Sequence, residues 1–183
     1  MKKICCLTLG ATSLVAIAIS VFHSETNTVR AEEKKNEQPP KVAVERARKT
    51  INMLDNIYKQ TVVLITDKYV HDEEDFAAGS AAVLLFKRIS ESGSHQVRLI
   101  DATGEPYDAE NVAKDEFEKQ AIKKLKAGAN QHEQITTKKG KPYLRVVTPV
   151  PVVMKKCVMC HDHYADVKKG EPIGAISYTI AID

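Results

Sequence analysis

From residue 42 to 69 the apolar positions follow one helical face. Ala47, Ile51, Leu54, Tyr58, Thr61 and Ile65 recur at alternating intervals of four and three, with no Gly or Pro among them. That is the period of an amphipathic helix. A helix of this length must bury its stripe on a sheet or on a second copy of itself, so a homodimer through it is one expectation. His71-Asp72-Glu73-Glu74-Asp75 ends the stripe. These acids suit the start of a second helix, by capping and by the helix dipole. That helix is expected to run through Phe76, Ala81, Leu84, Leu85 and Ile89 and to stop near Ser92-Gly93.

The period then shifts to two. Residues 95–101 read as a strand with Val97 and Leu99 on one face, followed by a turn cluster at residues 101–106. Residues 111–127 return to helical spacing through Phe117, Ile122 and Leu125, and Gly128 stands where a left-handed cap belongs. Residues 132–137 and 143–147 flank Lys138-Lys139-Gly140-Lys141-Pro142, a hairpin signal. Residues 148–153 are expected to be extended and broken by Pro149 and Pro151. After a turn at residues 168–172, Ala175, Ser177 and Thr179 alternate with Ile176, Tyr178 and Ile180 in a last strand. Helices followed by an antiparallel sheet predict an α+β domain. It spans residues 42–183, after a Glu-, Lys-, Asn- and Pro-rich flexible spacer at 32–41.

Charge narrows the partners. The formal net charge is +3, and Lys2, Lys3 and Arg30 of that balance lie at the N-terminus. No broad nucleic-acid surface is expected. Lys2-Lys3, the mostly apolar stretch from Ile4 to Phe22, and Val29-Arg30-Ala31 read as a signal peptide over residues 1–31. The expectation is export to the periplasm or an equivalent extracytoplasmic compartment. The alternative is an uncleaved membrane anchor, and membrane contact is expected only then. The apolar run lies near the lower limit for a span, roughly 17–25 residues.

Cys157-Val158-Met159-Cys160-His161 is the run that carries chemistry. Cys-x-x-Cys-His is the attachment signature of a c-type haem. Two thiols at this separation add across the two porphyrin vinyl groups, and the next residue brings an imidazole to the iron. Cys157 and Cys160 are therefore the expected covalent anchors of one haem c, with His161 as axial ligand. A zinc-stabilised binding domain, with His163 as a further ligand, and a thiol–disulfide pair are the other readings. Removing the leader would remove Cys5 and Cys6 and leave only this pair of the four cysteines. A zinc site would then lack two thiolates, and export suits haem attachment, which takes place outside the cytoplasm.

The motif lies near the C-terminus, no Met follows it, and two prolines precede it, unlike small class I or four-helix cytochromes. Glu110-Asn111, Phe117-Glu118, the run from Tyr143 to Pro151, Lys156 to His161, and Gly170-Glu-Pro-Ile-Gly174-Ala-Ile-Ser-Tyr178 carry a resemblance. Over residues 45–183 the chain resembles the haem-binding PAS-like domain family typified by a small cyanobacterial monohaem c-type cytochrome. That family also supplies periplasmic sensor domains of kinases and chemoreceptors. The resemblance implies a PAS-like antiparallel sheet with long N-terminal helices packed over the haem. Some family members use a cysteine on the N-terminal helix as sixth ligand, and a mature chain with only Cys157 and Cys160 has none to offer.

For the distal position His71, at the end of the long helix, is the first candidate and His95 the second, with an open or water-filled site as the alternative. His163 follows His161 too closely to reach the other face and reads as a solvated loop residue. His132 reads as a surface residue, and Met154, Tyr58 and Tyr69 are outsiders. The expected function is single-electron transfer with redox partner proteins. The alternative is a haem-based gas (NO or CO) or redox sensor module signalling through a partner. No nucleophile–base pair points to an enzyme.

Overall fold

The structure is a computed structural model and describes residues 38–72 and 75–183. The expected signal peptide and most of the spacer lie outside the described residues. Helix α1 spans Lys41–Tyr69 and α2 spans Ala78–Ser92. Strand β1 (Gln96–Asp101), helix α3 (Glu116–Lys126), strands β2 (His132–Lys138) and β3 (Lys141–Pro151), the short helix α4 (Lys156–Met159) and strand β4 (Pro172–Ala181) follow. The four strands form one antiparallel sheet in the order β1-β4-β3-β2. The architecture is α+β, consistent with a PAS-like domain.

The α1 stripe is buried on the sheet. Ala47, Ile51 and Tyr58 pack with Phe86 of α2 and with Val97, Leu144, Val146, Ile176 and Tyr178 of the strands. Beyond Tyr58 the buried position is Thr66, and not the expected Thr61 or Ile65. An ideal helix drifts relative to a seven-residue repeat, so the sheet-facing row moves off a strict four–three pattern. Met53, Ile57 and Leu64 form an outer, exposed row on the same helix.

Opposite faces of the sheet use alternate residues of the strands. Ile100, Val147 and Ala175 pack under Phe117, Ala121 and Leu125 of α3. On that side Glu118 is only 3% exposed and accepts from Arg98 Nη1 at 2.6 Å and from the Lys114 amide at 2.8 Å. Arg145 lies over the Phe117 ring at 4.2 Å. These polar partners explain why Phe117-Glu118 stand at the start of α3.

Three expectations are corrected. Helix α2 has Ala77 as its N-cap, with no side-chain bond, and not one of the acids after His71. Asp75 instead accepts from the backbone amides of His71 and Asp72. Phe76 lies before the helix, and Ala82 and Phe86 form its buried row while Leu84 and Leu85 face outward. Helix α3 begins at Glu116 because the Asp115 side chain caps it through the Glu118 amide. Pro149 does not break β3, which runs on to a register irregularity between Val150 and Pro151 and ends there. Strand β2 reaches only to the His132–Val147 pair, so both prolines lie where β3 has β4 alone beside it. A free edge is where a sheet tolerates proline. The hairpin holds as expected: Lys139 (φ 52) and Gly140 (φ 74) make a two-residue turn with both φ positive. Gly128 takes the left-handed position after α3 (φ 94).

Candidate haem-attachment site

The site occupies the excursion between β3 and β4. The chain leaves the sheet at Pro151 and re-enters at Pro172, and these two residues are register partners. The amides of Cys157 and Val158 bond to the carbonyls of Met154 and Lys155, both at 3.1 Å, and wind one turn of α4. Cys157 stands inside that turn and Cys160 is its C-cap. Residues three apart on a helical turn share a face, so the local backbone holds the two thiols side by side. Both are free; Cys157 is half-buried and Cys160 exposed.

His161 breaks from the turn with extended backbone (φ −142, ψ 81) and starts a 3-10 turn at Asp162–Asp166. Its half-buried ring lies 4.6 Å from the Tyr164 ring and meets Tyr107 edge-on at 5.7 Å. Burial lowers its pKa below the ordinary value, the neighbouring His163 adds to this, and Asp101 opposes it. The neutral imidazole is the form that ligates a metal. Asp101 itself is fixed at the end of β1, accepting from Thr103 Oγ1 at 2.7 Å and the Gly104 amide at 2.6 Å. Burial raises the pKa of Tyr164, and the charges of Asp101 and Cys157 add to the effect. His163 Nδ1 lies 3.9 Å from the Glu105 carboxylate, while its Nε2 is buried without a hydrogen-bond partner. It is a half-buried residue and not the solvated loop residue expected.

The end of α1 docks against this segment. Lys156 Nζ, one residue before Cys157, donates to the carbonyls of Thr66, Asp67 and Val70 at 3.3, 2.8 and 2.6 Å. His71 therefore adjoins the attachment segment, with its side chain exposed. His95 does not. It precedes β1, at the strand end opposite Asp101. Its Nε2 pairs with Tyr58 Oη at 3.0 Å and its Nδ1 with Ser94 Oγ at 3.1 Å. Tyr58 is a core residue, 6.3 Å from the stacked ring of Tyr178. His132, expected at the surface, is half-buried and stacks on Phe117 at 5.1 Å. Tyr69 is exposed, and Met154 contributes its carbonyl to the α4 turn.

The donor set fits a c-type haem: two free thiols on one helical face and a half-buried imidazole beside them. The surroundings fit it as well. Tyr69 (72%), Phe76 (66%), Tyr107 (84%) and Val153 (57%) are all strongly exposed. Tyr107 touches His161, Val153 leads into α4, and Tyr69 and Phe76 flank the His71 loop that Lys156 and Asp75 hold. These are four of the twelve large apolar side chains exposed among the described residues, and they stand on the segments next to the thiols and His161. Among the described residues no three His, Cys, Asp or Glu side chains converge to hold a bare metal ion, so the zinc reading gains no support. Tyr107, Asp101 and the docking by Lys156 were not singled out as site features from sequence. Only Tyr164, three residues past His161 on the next turn, carried a local signal.

No curated protein matches the chain. A family model matches residues 18–180. It describes the family to which the quoted motifs pointed, and the protein belongs to the Tll0287-like family.

Proposed function

We propose that this chain is an exported monohaem c-type cytochrome that carries single electrons. Haem c would be held by thioethers from Cys157 and Cys160, with His161 on the iron. One observation carries the reading: the free thiol pair on α4 adjoins a half-buried imidazole, at the end of the domain where apolar side chains are exposed. When bound, the haem supplies a one-electron couple whose potential depends on axial ligands and burial. The chain's own residues do the rest. Tyr107 and Tyr164 restrict the His161 ring. His71 is the candidate for the other axial position.

A haem-based gas or redox sensor is the second reading. It is favoured by the exposure of His71, which leaves that axial position weakly held or open to a small ligand. Redox proteins are the partners in the first case and a signalling protein in the second. A homodimer through α1 would have to use the outer row of Met53, Ile57 and Leu64, since the inner row is on the sheet.

The test is expression of the full chain in a host competent for c-type maturation. The exported protein should gain the mass of one haem that acidified organic solvent does not extract. Extraction of the chromophore, or none bound, rejects the assignment. Spectra of the reduced protein with and without CO separate the two roles. Slow CO entry supports electron transfer, and prompt entry supports sensing.

A further inference from the structure

Helix α1 ends without the usual device. A helix leaves its last four carbonyls without partners inside the helix, and a left-handed glycine often turns the chain back to satisfy them. Here the C-cap is Val70 in extended conformation (φ −97, ψ 112). Three carbonyls at this end are met from far along the chain instead. An ammonium has three N–H bonds, and Lys156 places them on Thr66, Asp67 and Val70. The positive charge also stands at the negative end of the helix dipole. The carboxylates of Asp67 and Asp75 both feel that ammonium.

The same contacts hold His71. Val70 is tied to Lys156, and Asp75 Oδ2 accepts from the His71 amide at 2.6 Å. The peptide that joins Val70 to His71 is thus fastened at both its carbonyl and its amide, while the His71 side chain is exposed. Lys156 is bonded in sequence to Cys157. One side chain therefore joins the expected thiol anchor to the peptide that carries the candidate second ligand.

We propose that Lys156 is a positioning residue: by capping α1 it sets the place of His71 relative to Cys157 and Cys160 and so delivers the His71 imidazole to the second axial position. The inference rests on the haem reading above. Methionine at this position keeps the length of the side chain and removes every donor. Arginine keeps the charge and the donors.

The experiment compares the haem-loaded full chain as wild type, Lys156→Met, Lys156→Arg, His71→Ala and the Lys156→Met/His71→Ala pair. The readouts are CO association with the reduced protein and the high-spin fraction of the oxidised spectrum. Lys156→Met should keep its covalent haem yet take CO about two- to fivefold faster, the scale of a charge at a helix end. His71→Ala should be at least as fast, the pair no faster than His71→Ala, and Lys156→Arg close to wild type. A Lys156→Met protein with wild-type CO entry overturns the proposal. So does a double variant faster than His71→Ala, because Lys156 would then act without His71. Should Lys156→Met fail to fold, Lys156→Gln must show the same direction at a smaller amplitude, and wild-type CO entry there overturns the proposal equally. A wild-type chain that takes no haem removes the axial role together with the haem reading. The cap is then judged by amide exchange in the last turn of α1, which must quicken in Lys156→Met.

Discussion

The α1 face of the sheet and the β3–β4 excursion are built on opposite terms. Under α1 the side chains close on one another. Ile51, Phe86, Leu144, Val146 and Tyr178 are each no more than 1% exposed. The polar groups there are partnered too: Asp55 Oδ1 accepts from Thr148 Oγ1 at 2.6 Å and Tyr178 Oη at 3.0 Å, and Lys59 bonds its Oδ2 at 2.9 Å. In the excursion neither α4 nor the 3-10 turn buries a residue. Its thiols are free, one His163 nitrogen has no partner, and large apolar side chains around it face outward. The contrast teaches that folding and chemistry are separated in this chain. The sheet is stabilised by its own side chains, and the excursion presents groups suited to something brought from outside.

The largest effect should come from the excursion and leave the sheet alone. The Cys157→Ala/Cys160→Ala pair should abolish covalent haem entirely. Its haem-free stability should stay within about 0.5 kcal/mol of the haem-free parent, as for surface substitutions away from packed features. A denaturant titration of both haem-free proteins checks this, and a collapse of the double variant would break the contrast. Phe86→Ala should do the reverse, costing about 3–5 kcal/mol by cavity formation with the thiols still able to take haem at low temperature. Chemical denaturation and the yield of thioether-bound haem measure the two halves.

Two pH experiments sharpen the picture at smaller amplitude. Burial raises the pKa of Tyr178 well above the ordinary value, and the Asp55 charge and hydrogen bond add to it. The folded state thus favours the neutral phenol. That contribution is present below the unfolded pKa of about 10 and fades as pH rises above it. Stability should fall steeply in strong alkali, and Tyr178→Phe should flatten the fall while losing the Asp55 hydrogen bond. Glu133 is the mild case. Its hydrogen bonds from Arg48 lower its pKa against the opposing effect of burial, with the Arg48 charge adding to them. The carboxylate stabilises the fold above the unfolded value near 4.3, and the effect disappears as pH falls through the lower folded value. Because the pair is about one-third exposed, Glu133→Gln should cost less than about 1 kcal/mol at neutral pH and nothing in strong acid. Thermal unfolding across acid and neutral pH reads this directly.

Local rules made most of the elements legible. Helix α1, the Lys139-Gly140 turn and the stop at Gly128 each rest on a few neighbouring residues, and each stands as expected. What failed depended on a competing local bond in one case and on a distant partner in the other. The acids after His71 suited an N-cap, but Asp75 bonds backward to His71 and Asp72. Pro149 resembled a breaker because nothing in its own sequence says that β2 ends opposite Val147. The site divides in the same way. Cys157, Cys160 and His161 are read from five consecutive residues. Tyr107 meets His161 because the β1–β4 and β3–β4 registers bring the loop after β1 and the excursion to one end of the sheet, and Lys156 meets the end of α1 some 90 positions away in sequence.

The Pro151–Pro172 pair gives the excursion a property of its own. Neither proline can donate to the other, but the β3–β4 ladder just inside the pair, from Val150 and Gly174 onward, holds the two ends near each other and does not depend on what lies between them. The entropy of closing such a loop grows only with the logarithm of its length. The segment can therefore lengthen, shorten or loosen at little cost to the sheet, much as an antibody frame tolerates its variable loops. A modifying enzyme that needs slack chain around two thiols could draw this segment out and release it again without first undoing the domain.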